Sequence, residues 1–384
     1  MFFLLLLLLF IVVAAFACWA VSAVVPRGRV TVARSVILLF DIASAAVLIL
    51  GRGLVESDGL FVRMGLIVMA MVWMGELAMS VLVTIVRLVR CIYRRAQSVD
   101  DGDVHDPERR RMLKGAMLYP LIAAGSSVYG GTVGRTNTIV REFDVPVDGI
   151  GDELKNFRIA QISDIHLGPF YSLDDLEALM KQAAQTKADA LCLTGDIFDD
   201  DAINEEAVKL IDRHADDYPQ GIWFCYGNHE YFRDIVQTNR ALRKTRIHVL
   251  KDEKAQVMTS KRPLYFAGVD YPHPRYAFEE IEARSAKRVF DGIPKNAVTI
   301  LLAHHPDFID DGAEHGATLV LTGHTHGGQI GLFGVSLVPP VFKYMRGMYR
   351  VGDTIGYVHS GNGSWFPYRL GCPPEIAVFR LTGK

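Results

Sequence analysis

The chain has 384 residues, enough for two or three domains, and its formal net charge at pH 7 is only −2. This charge balance does not indicate a protein that binds nucleic acid, which would carry a clear excess of basic residues. Half of the residues are hydrophobic, and the longest apolar runs lie in the first third of the chain, which indicates membrane insertion of that part.

Four apolar segments predict an all-α transmembrane region over residues 1–133. Residues 1–25 are almost wholly apolar and lack the basic start and cleavage site of a secretory signal. Residues 36–50 are short for a span, whereas residues 64–86 are long enough to cross a bilayer. Residues 115–133 form a fourth candidate, weakened by Pro120. Inside these spans, Asp41 and Glu76 indicate either a proton pathway or, as the favoured interpretation, a contact between helices.

Basic residues in the loops predict the orientation of these spans. The loop before residue 36 and the loop over residues 87–114 are rich in arginine, whereas the loop over residues 51–63 contains only Arg52 and Arg63. Since basic loops stay in the cytoplasm, residues 134–384 are expected on the outer side of the cell's inner (plasma) membrane, in a multi-pass protein. The run Arg109-Arg110-Arg111-Met112-Leu113-Lys114 also resembles a twin-arginine export signal, which predicts the same side.

After residue 133, five mostly apolar runs predict buried strands, and each ends in a turn that carries potential metal ligands. The runs cover residues 157–162, 190–193, 222–226, 298–302 and 317–321. The turns are Asp164-Ile165-His166, Gly195-Asp196-Ile197-Phe198-Asp199, Gly227-Asn228-His229-Glu230, His304-His305-Pro306 and Gly323-His324-Thr325-His326. Ligands at the carboxyl ends of neighbouring strands should meet at one edge of a sheet. Carboxylate, imidazole and amide groups in this number predict two metal ions, with Asp196 as the bridging ligand.

The remaining pattern predicts how the rest of the domain is built. Residues 139–147 read as an edge strand that tolerates Pro146. Helical spacing of apolar residues appears over residues 173–186, 204–215 and 231–243. Residues 247–250, 264–269, 356–360 and 376–381 read as strands of a second sheet. Two sheets packed face to face with helices outside would account for this number of elements.

The five turns, in this order, resemble the motif series of the calcineurin-like metallophosphoesterase family over roughly residues 156–381. The arginine motif, the spacer after it and the start of this domain resemble the family's membrane-associated bacterial branch. The resemblance implies a four-layer α/β/β/α sandwich over residues 134–384, preceded by the transmembrane region. It also implies two divalent or trivalent ions, for which Mn, Fe and Zn all suit the ligands.

The resemblance further implies a role for each residue of the turns. One metal ion would be held by Asp164, His166, Asp196 and His326, and the other by Asp196, Asn228, His304 and His324. His229 would act on the phosphoryl group or leaving oxygen rather than bind metal. Asp199 and Glu230 would orient these residues. His305 keeps the interpretation of a packing residue, because the family ligand matches the first histidine of the pair.

The implied activity is phosphoester hydrolysis, most simply by a membrane-anchored phosphodiesterase that uses a metal-bridged hydroxide. The expected partners are a phosphoester substrate, which can be lipid-linked, and the membrane bilayer, with no nucleic acid. A UDP-2,3-diacylglucosamine-type lipid-nucleotide pyrophosphohydrolase, a chemistry known in the resembled family, would need a cytoplasmic site, so the predicted orientation argues against it. A non-enzymatic metal-binding membrane sensor should have lost ligands, and no ligand position is substituted here.

Three further segments are candidates for substrate contact, each with ordinary loop packing as the alternative. Residues 271–276 place an arginine among aromatic residues. Residues 332–349 are largely apolar with interspersed basic residues and could rest on a lipid surface. Residues 363–369 could close over the metal ions. The five cysteines show no framework spacing, and Cys192 and Cys225 read as small buried hydrophobic residues within strands.

Overall fold

The computed structural model describes residues 2–22, 25, 27–50, 60–97, 118–332, 335–337, 340–364 and 366–383. These residues form two compact units, residues 1–133 and residues 134–384. The first unit is helical, and the second contains both sheets. The twin-arginine motif and the rest of residues 98–117 lie outside the described residues, as do residues 51–59.

The helices of the first unit follow the apolar segments of the sequence. They are α1 (Phe2–Val21), α2 (Val30–Leu50), α3 (Leu60–Gln97) and α4 (Leu118–Gly131). Within α3, the stretch Met64–Val89 is long and apolar enough to cross a membrane, and Ile11–Val21 is a shorter apolar helix. The number of spans therefore stays a prediction. Asp41 of α2 lies buried beside Glu76 of α3, which agrees with the favoured interpretation of a contact between helices.

The second unit begins near a short helix, α5 (Val133–Thr136), and alternates strands with helices. Its first strands are β1 (Ile139–Val147), β2 (Arg158–Ile162), β3 (Ala190–Thr194), β4 (Ile222–Cys225), β5 (His248–Val249), β6 (Glu253–Met258) and β7 (Leu264–Gly268). The later strands are β8 (Val298–Leu302), β9 (Leu319–Thr322), β10 (Gly331–Leu332), β11 (Val335–Ser336), β12 (Gly347–Val351), β13 (Thr354–Val358) and β14 (Glu375–Gly383). The helices are α6 (Leu173–Ala184), α7 (Asn204–Arg213), α8 (Asn228–Phe232), α9 (Ile235–Leu242), α10 (Phe278–Phe290) and α11 (Phe308–Glu314).

Two six-stranded sheets form the centre of this unit. The strand order is β1-β14-β2-β3-β4-β5 in the first sheet and β12-β13-β9-β8-β7-β6 in the second. Strands β2, β3, β4 and β5 run parallel to one another, as do β7, β8, β9 and β13. Strands β14, β6 and β12 pair antiparallel with β2, β7 and β13, respectively. The edge position of β1, which contains Pro146, is confirmed.

Three apolar cores separate four layers. The first core packs α6, α7 and α9 on one face of the first sheet. The second core lies between the sheets, and the third packs α10 and α11 on the outer face of the second sheet. Successive residues of β3 show the strand period of two: Ala190 and Cys192 face the core between the sheets, whereas Leu191 and Leu193 face the helices. The predicted α/β/β/α sandwich is confirmed.

Some elements differ from the sequence-based expectations. Strands β5 and β14 belong to the first sheet, although both were expected in the second. The helix expected over residues 231–243 is two helices, because Arg233 is extended and Asp234 caps a new helix by accepting a hydrogen bond from the Gln237 backbone N–H. Helices α10 and α11 and strands β6 and β12 were not predicted. Pairing partners depend on contacts distant in the chain, which local periodicity does not encode.

Candidate metal centre

The five ligand turns follow strands of both sheets. Turns after β2, β3 and β4 of the first sheet carry Asp164 and His166, Asp196, and Asn228 and His229, respectively. Turns after β8 and β9 of the second sheet carry His304, His324 and His326. The expectation that all five turns meet at the edge of one sheet was wrong, because the site is shared between two sheets. The general expectation that the carboxyl ends of the strands bring these residues together does describe the structure.

The candidate ligands form two groups. In the first group, His166 Nε2 lies 2.9 Å from His326 Nε2, and His326 Nε2 lies 3.5 Å from Asp164 Oδ1. In the second group, His304 Nε2 lies 3.2 Å from His324 Nδ1. The first group consists of Asp164, His166 and His326, and the second consists of Asp196, His304 and His324. Within each group the ligand atoms lie within 4.8 Å of one another, which is close enough to surround one ion. Asn228 follows β4 at the start of α8.

Asp196 lies between the two groups. A single oxygen, Oδ2, is 3.8 Å from His166 Nε2 and 3.1 Å from His304 Nε2. The other oxygen, Oδ1, accepts a hydrogen bond of 2.8 Å from the backbone N–H of His229. The carboxylate is thus fixed with one oxygen facing both groups, which is the position that a bridging ligand needs.

Two buried oxygens test whether these residues fit metal ions. Asp164 Oδ2 and Asn228 Oδ1 are shielded from solvent, and neither has a hydrogen-bond partner among the described residues. Such oxygens are costly to bury unless another group is bound to them. Carboxylate, imidazole and amide donors are ligands that Mn, Fe and Zn accept. The residues therefore fit bound metal ions.

Hydrogen bonds fix the histidine tautomers in the form that binds metal. His304 Nδ1 donates to the Thr194 carbonyl at 2.8 Å, and His166 Nδ1 lies 3.2 Å from Asp199 Oδ2. In both rings this leaves Nε2 directed at the other ligands. Burial, together with the charge of His304, holds the pKa of His324 well below its usual range. Burial opposes charging of His304 too, but Asp196 outweighs it and raises the pKa of His304 to about 10, so a metal ion would displace a proton there.

The backbone at the ligands has an unusual conformation. Five of the candidate ligands have φ between 51° and 72°, in the left-handed region: Asp164, His166, Asp196, His324 and His326. Non-glycine residues rarely adopt this conformation, although aspartate and histidine tolerate it better than β-branched residues do. Such backbone persists only where surrounding contacts enforce it, and it is concentrated at functional sites.

Glu230 provides much of that enforcement at Asp196. Its carboxylate is 1% exposed and accepts hydrogen bonds from four backbone N–H groups. Three of these belong to Asp196, Ile197 and Phe198, and the fourth belongs to Gly227 at the start of α8. Glu230 thus joins the turn after β3 to the helix that carries His229.

Glycine at position 323 is required by the close approach of the turn after β9 to the turn after β2. A Cβ atom there would lie 2.2 Å from Asp164 Oδ2 and from Ser163 Oγ. We expect Gly323→Ala to displace Asp164 and weaken metal binding by about 10- to 100-fold, as loss of a ligand-orienting group typically does. The measurement is metal titration of the purified chain by calorimetry. Gly383→Ala, where the nearest atom to the added Cβ would be 3.7 Å away, is the control and should bind metal normally.

His229 is more exposed than the candidate ligands around Asp196, with 26% of its side chain exposed against 4% for His166 and 0% for His304. Its Nδ1 is 2.8 Å from Asp199 Oδ2, and its Nε2 is 4.0 Å from Asp196 Oδ2. Burial opposes the charged imidazolium, but the hydrogen bond to Asp199 and the charge of Asp196 outweigh it and raise the pKa of His229 to about 8. Asp199 also accepts a hydrogen bond of 2.8 Å from Arg233 Nε. His229 can therefore hold a proton near neutral pH with a fixed ring orientation.

The sequence did not predict that Arg369 supports the candidate ligand His326. The Arg369 side chain is fully buried and donates hydrogen bonds to the carbonyls of Ser360, Gly363 and Cys372. Its Nη2 lies 3.1 Å from His326 Nδ1. The described part of residues 363–369 is therefore largely a buried support beside His326 rather than a cover over the metal ions. The run Gly361-Asn362-Gly363 before it is typical of a tight loop, but this pattern does not reveal that an arginine anchors the loop.

His305 lies beside the centre, in a group of its own. Its Nδ1 is 3.5 Å from Asp307 Oδ2, and Glu282 completes a separate cluster with these two residues. Its ring lies 4.9 Å from that of His324. Rings of Tyr271, Phe278 and Phe342 also pack around His305 and His324. This position agrees with the expectation of a packing role for His305.

Comparison with known proteins gives a consistent family assignment. The family model described as calcineurin-like phosphoesterase matches residues 157–328. The chain is 31% identical over 290 residues to the uncharacterized metallophosphoesterase YkuE of Bacillus subtilis, an alignment that covers 71% of this chain and 97% of that protein. It is also 31% identical over 287 residues to an uncharacterized metallophosphoesterase of Helicobacter pylori, which covers 72% of this chain and 74% of that protein.

A third relative is named for a membrane location. The chain is 27% identical over 274 residues to a Danio rerio protein named transmembrane protein with metallophosphoesterase domain, with 68% of this chain and 61% of that protein covered. The sandwich fold and the candidate ligand groups agree with the family match. The chain belongs to the calcineurin-like phosphoesterase family and is a metal-dependent phosphoester hydrolase.

Proposed function

We propose that this chain is a membrane-anchored phosphodiesterase with a dinuclear metal centre. The observation that supports this most directly is the position of Asp196, whose Oδ2 faces His166 on one side and His304 on the other. One ion would be held by Asp164, His166, Asp196 and His326. The other would be held by Asp196, Asn228, His304 and His324.

When bound, the two ions supply Lewis acidity and generate a nucleophile from water near neutral pH. The protein residues supply the geometry and one proton. Asp199 orients the ring of His229 through Nδ1, which leaves Nε2 on the side of Asp196. From there His229 donates a proton to the leaving oxygen, which avoids release of a strongly basic alkoxide.

The surroundings of the centre favour an ester with one negative charge. A phosphomonoester carries up to two charges at neutral pH and benefits from several free cationic side chains. Here the Nε of Arg233 is bonded to Asp199, and Arg369 is buried and bonded to backbone carbonyls. A phosphodiester, with a single charge, is the substrate class that this arrangement suits better.

The membrane location of this activity is part of the proposal. The stretch Met64–Val89 can cross a bilayer, and the remaining apolar helices would make the protein multi-pass. In this proposal residues 134–384 lie on the outer side of the inner membrane, a location that the distribution of basic residues among the loops supports. A substrate at that surface can be lipid-linked, and the near-neutral net charge of −2 gives no support for nucleic acid as a partner.

The test is hydrolysis of two chromogenic esters, a phosphodiester and a phosphomonoester, by the purified full chain with and without added Mn. We expect metal-dependent cleavage with a preference for the diester. Preference for the monoester would contradict the assignment as a phosphodiesterase. If metal is bound but neither ester is cleaved, the lipid-nucleotide pyrophosphohydrolase or the non-enzymatic sensor becomes the better explanation.

A further inference from the structure

Several exposed apolar side chains lie on segments next to the candidate metal centre. The most prominent are Phe232, Tyr276, Leu337 and Val341, which are 63%, 93%, 60% and 75% exposed. We call these four residues the apolar rim. Large apolar side chains grouped at a functional site indicate that another apolar surface covers them.

Ring contacts tie three parts of the apolar rim to the centre. The ring of Phe232 lies 5.2 Å from that of His229. Val341 precedes Phe342, whose ring lies 5.2 Å from that of His324. Tyr276 is two residues before Phe278, whose ring lies 4.6 Å from that of His305. Phe232 directly, and Val341 and Tyr276 through neighbouring rings, are therefore connected to histidines of the centre or beside it.

The segment that carries Leu337 and Val341 starts next to one candidate metal ligand, His326, and ends next to another, His324. At its start, the backbone N–H of Gln329 donates to the His326 carbonyl at 3.0 Å. At its end, Phe342 packs on His324. Between these points, a short pairing of β10 with β11 turns the chain back, and the N–H of Leu337 bonds the Ile330 carbonyl at 2.9 Å. Leu337 and Val341 are thus anchored close to the centre, yet both point largely into solvent.

We infer that the apolar rim inserts into the surface of the bilayer and that the substrate is a phosphodiester carried by a membrane lipid. This inference rests on the proposed function. We assign a bilayer as the surface that covers the rim, because the stretch Met64–Val89 is long and apolar enough to anchor the protein in one. A basic side chain accompanies the rim, since Arg233 follows Phe232 with 40% of its side chain exposed. Apolar residues mixed with arginine are typical of surfaces that meet anionic headgroups.

Insertion is tested without any enzyme assay. The full chain with Val341→Trp is reconstituted into vesicles of phosphatidylcholine and phosphatidylglycerol, and into matching vesicles whose acyl chains are brominated near the headgroup. Fluorescence of the parent, which has four native tryptophans, is subtracted. We expect bromine to quench at least about half of the added fluorescence, since a side chain at this depth lies within the acyl boundary.

The matched control is Lys295→Trp. Lys295 is exposed and lies just before β8, at the opposite end of that strand from His304. Its added fluorescence should be quenched by less than about a tenth, because this end of the sheet faces away from the rim. Equal quenching at both positions, or none at position 341, would overturn the inference.

A second measurement concerns the substrate. The rate of cleaving phosphatidyl-p-nitrophenol in the bilayer is divided by the rate of cleaving soluble bis(p-nitrophenyl) phosphate. In the double variant Leu337→Ser, Val341→Ser we expect this ratio to fall by about tenfold, because less apolar surface is buried on insertion. Lys295→Ser should leave the ratio as it is in the parent.

The outcomes separate the inference from the proposed function. Suppose that the parent cleaves the soluble ester, that Val341→Trp is not quenched by bromine, and that Leu337→Ser, Val341→Ser has the same ratio of rates as the parent. The insertion of the rim into the bilayer is then wrong, whereas the assignment as a phosphodiesterase stands. If position 341 is quenched but the parent cleaves neither ester, the surface is supported, whereas the activity and the lipid substrate are not.

Discussion

Asp196→Asn is expected to reduce metal-dependent hydrolysis by roughly a thousandfold or more, with the fold retained. The substitution keeps the size of the side chain and its hydrogen bond from the His229 backbone N–H. It removes the negative charge of the one oxygen that faces both ligand groups, at 3.8 Å from His166 and 3.1 Å from His304. The measurements are hydrolysis of the soluble diester and metal content per chain.

The control for this variant is Asp174→Asn. Asp174 is an exposed residue in the first turn of α6, so the same chemical change there should leave hydrolysis almost unaltered. An unchanged circular dichroism spectrum would establish that Asp196→Asn is folded. A folded Asp196→Asn protein with full activity would remove Asp196 from the bridging position.

His229→Ala is expected to lower hydrolysis by about 10² to 10⁴-fold while metal content stays at the parent value. The side chain is assigned to proton donation rather than metal binding, because Nδ1 is bonded to Asp199 and Nε2 is 4.0 Å from Asp196. The loss should be larger for a diester of an alkyl alcohol than for one of p-nitrophenol, since a weakly basic leaving group needs no proton.

The pH dependence follows from the same residue. With a pKa of about 8, His229 is protonated below that pH, so a rate limited by proton donation should fall as the pH rises above it. That descending limb should disappear in His229→Ala. His248→Gln, at an exposed position on β5, is the control and should keep the parent profile. Equal losses for both diesters would contradict the role of His229 as an acid.

The sequence alone predicted the residues that meet at the centre better than the sheets that carry them. Each ligand turn follows an apolar run of four to six residues, and this local signal is sufficient to place Asp164, Asp196 and His304 at strand ends. Strand β8 was predicted at its observed bounds, Val298–Leu302. Local pattern does not state which strands are neighbours, so β14 was expected in the second sheet although it pairs with β1 and β2.

The residues that hold the ligands in place were harder to predict. Glu230 was expected to orient the site, but its four backbone hydrogen bonds can be recognised only once the turn after β3 is folded against α8. Residues 363–369 were noted as a candidate segment, but the buried supporting role of Arg369 was not predicted, because a fully buried arginine is uncommon and its partners are backbone carbonyls rather than acidic side chains. Contacts of this kind appear only with the three-dimensional structure.

The left-handed backbone at five ligands also bears on how this chain could change over evolutionary time. Each such residue other than glycine costs about 1 kcal/mol relative to an ordinary conformation. Glycine would relieve that cost at Asp164, His166, Asp196, His324 or His326. In a lineage no longer selected for hydrolysis, these positions are therefore where substitution by glycine could make the metal-free protein more stable.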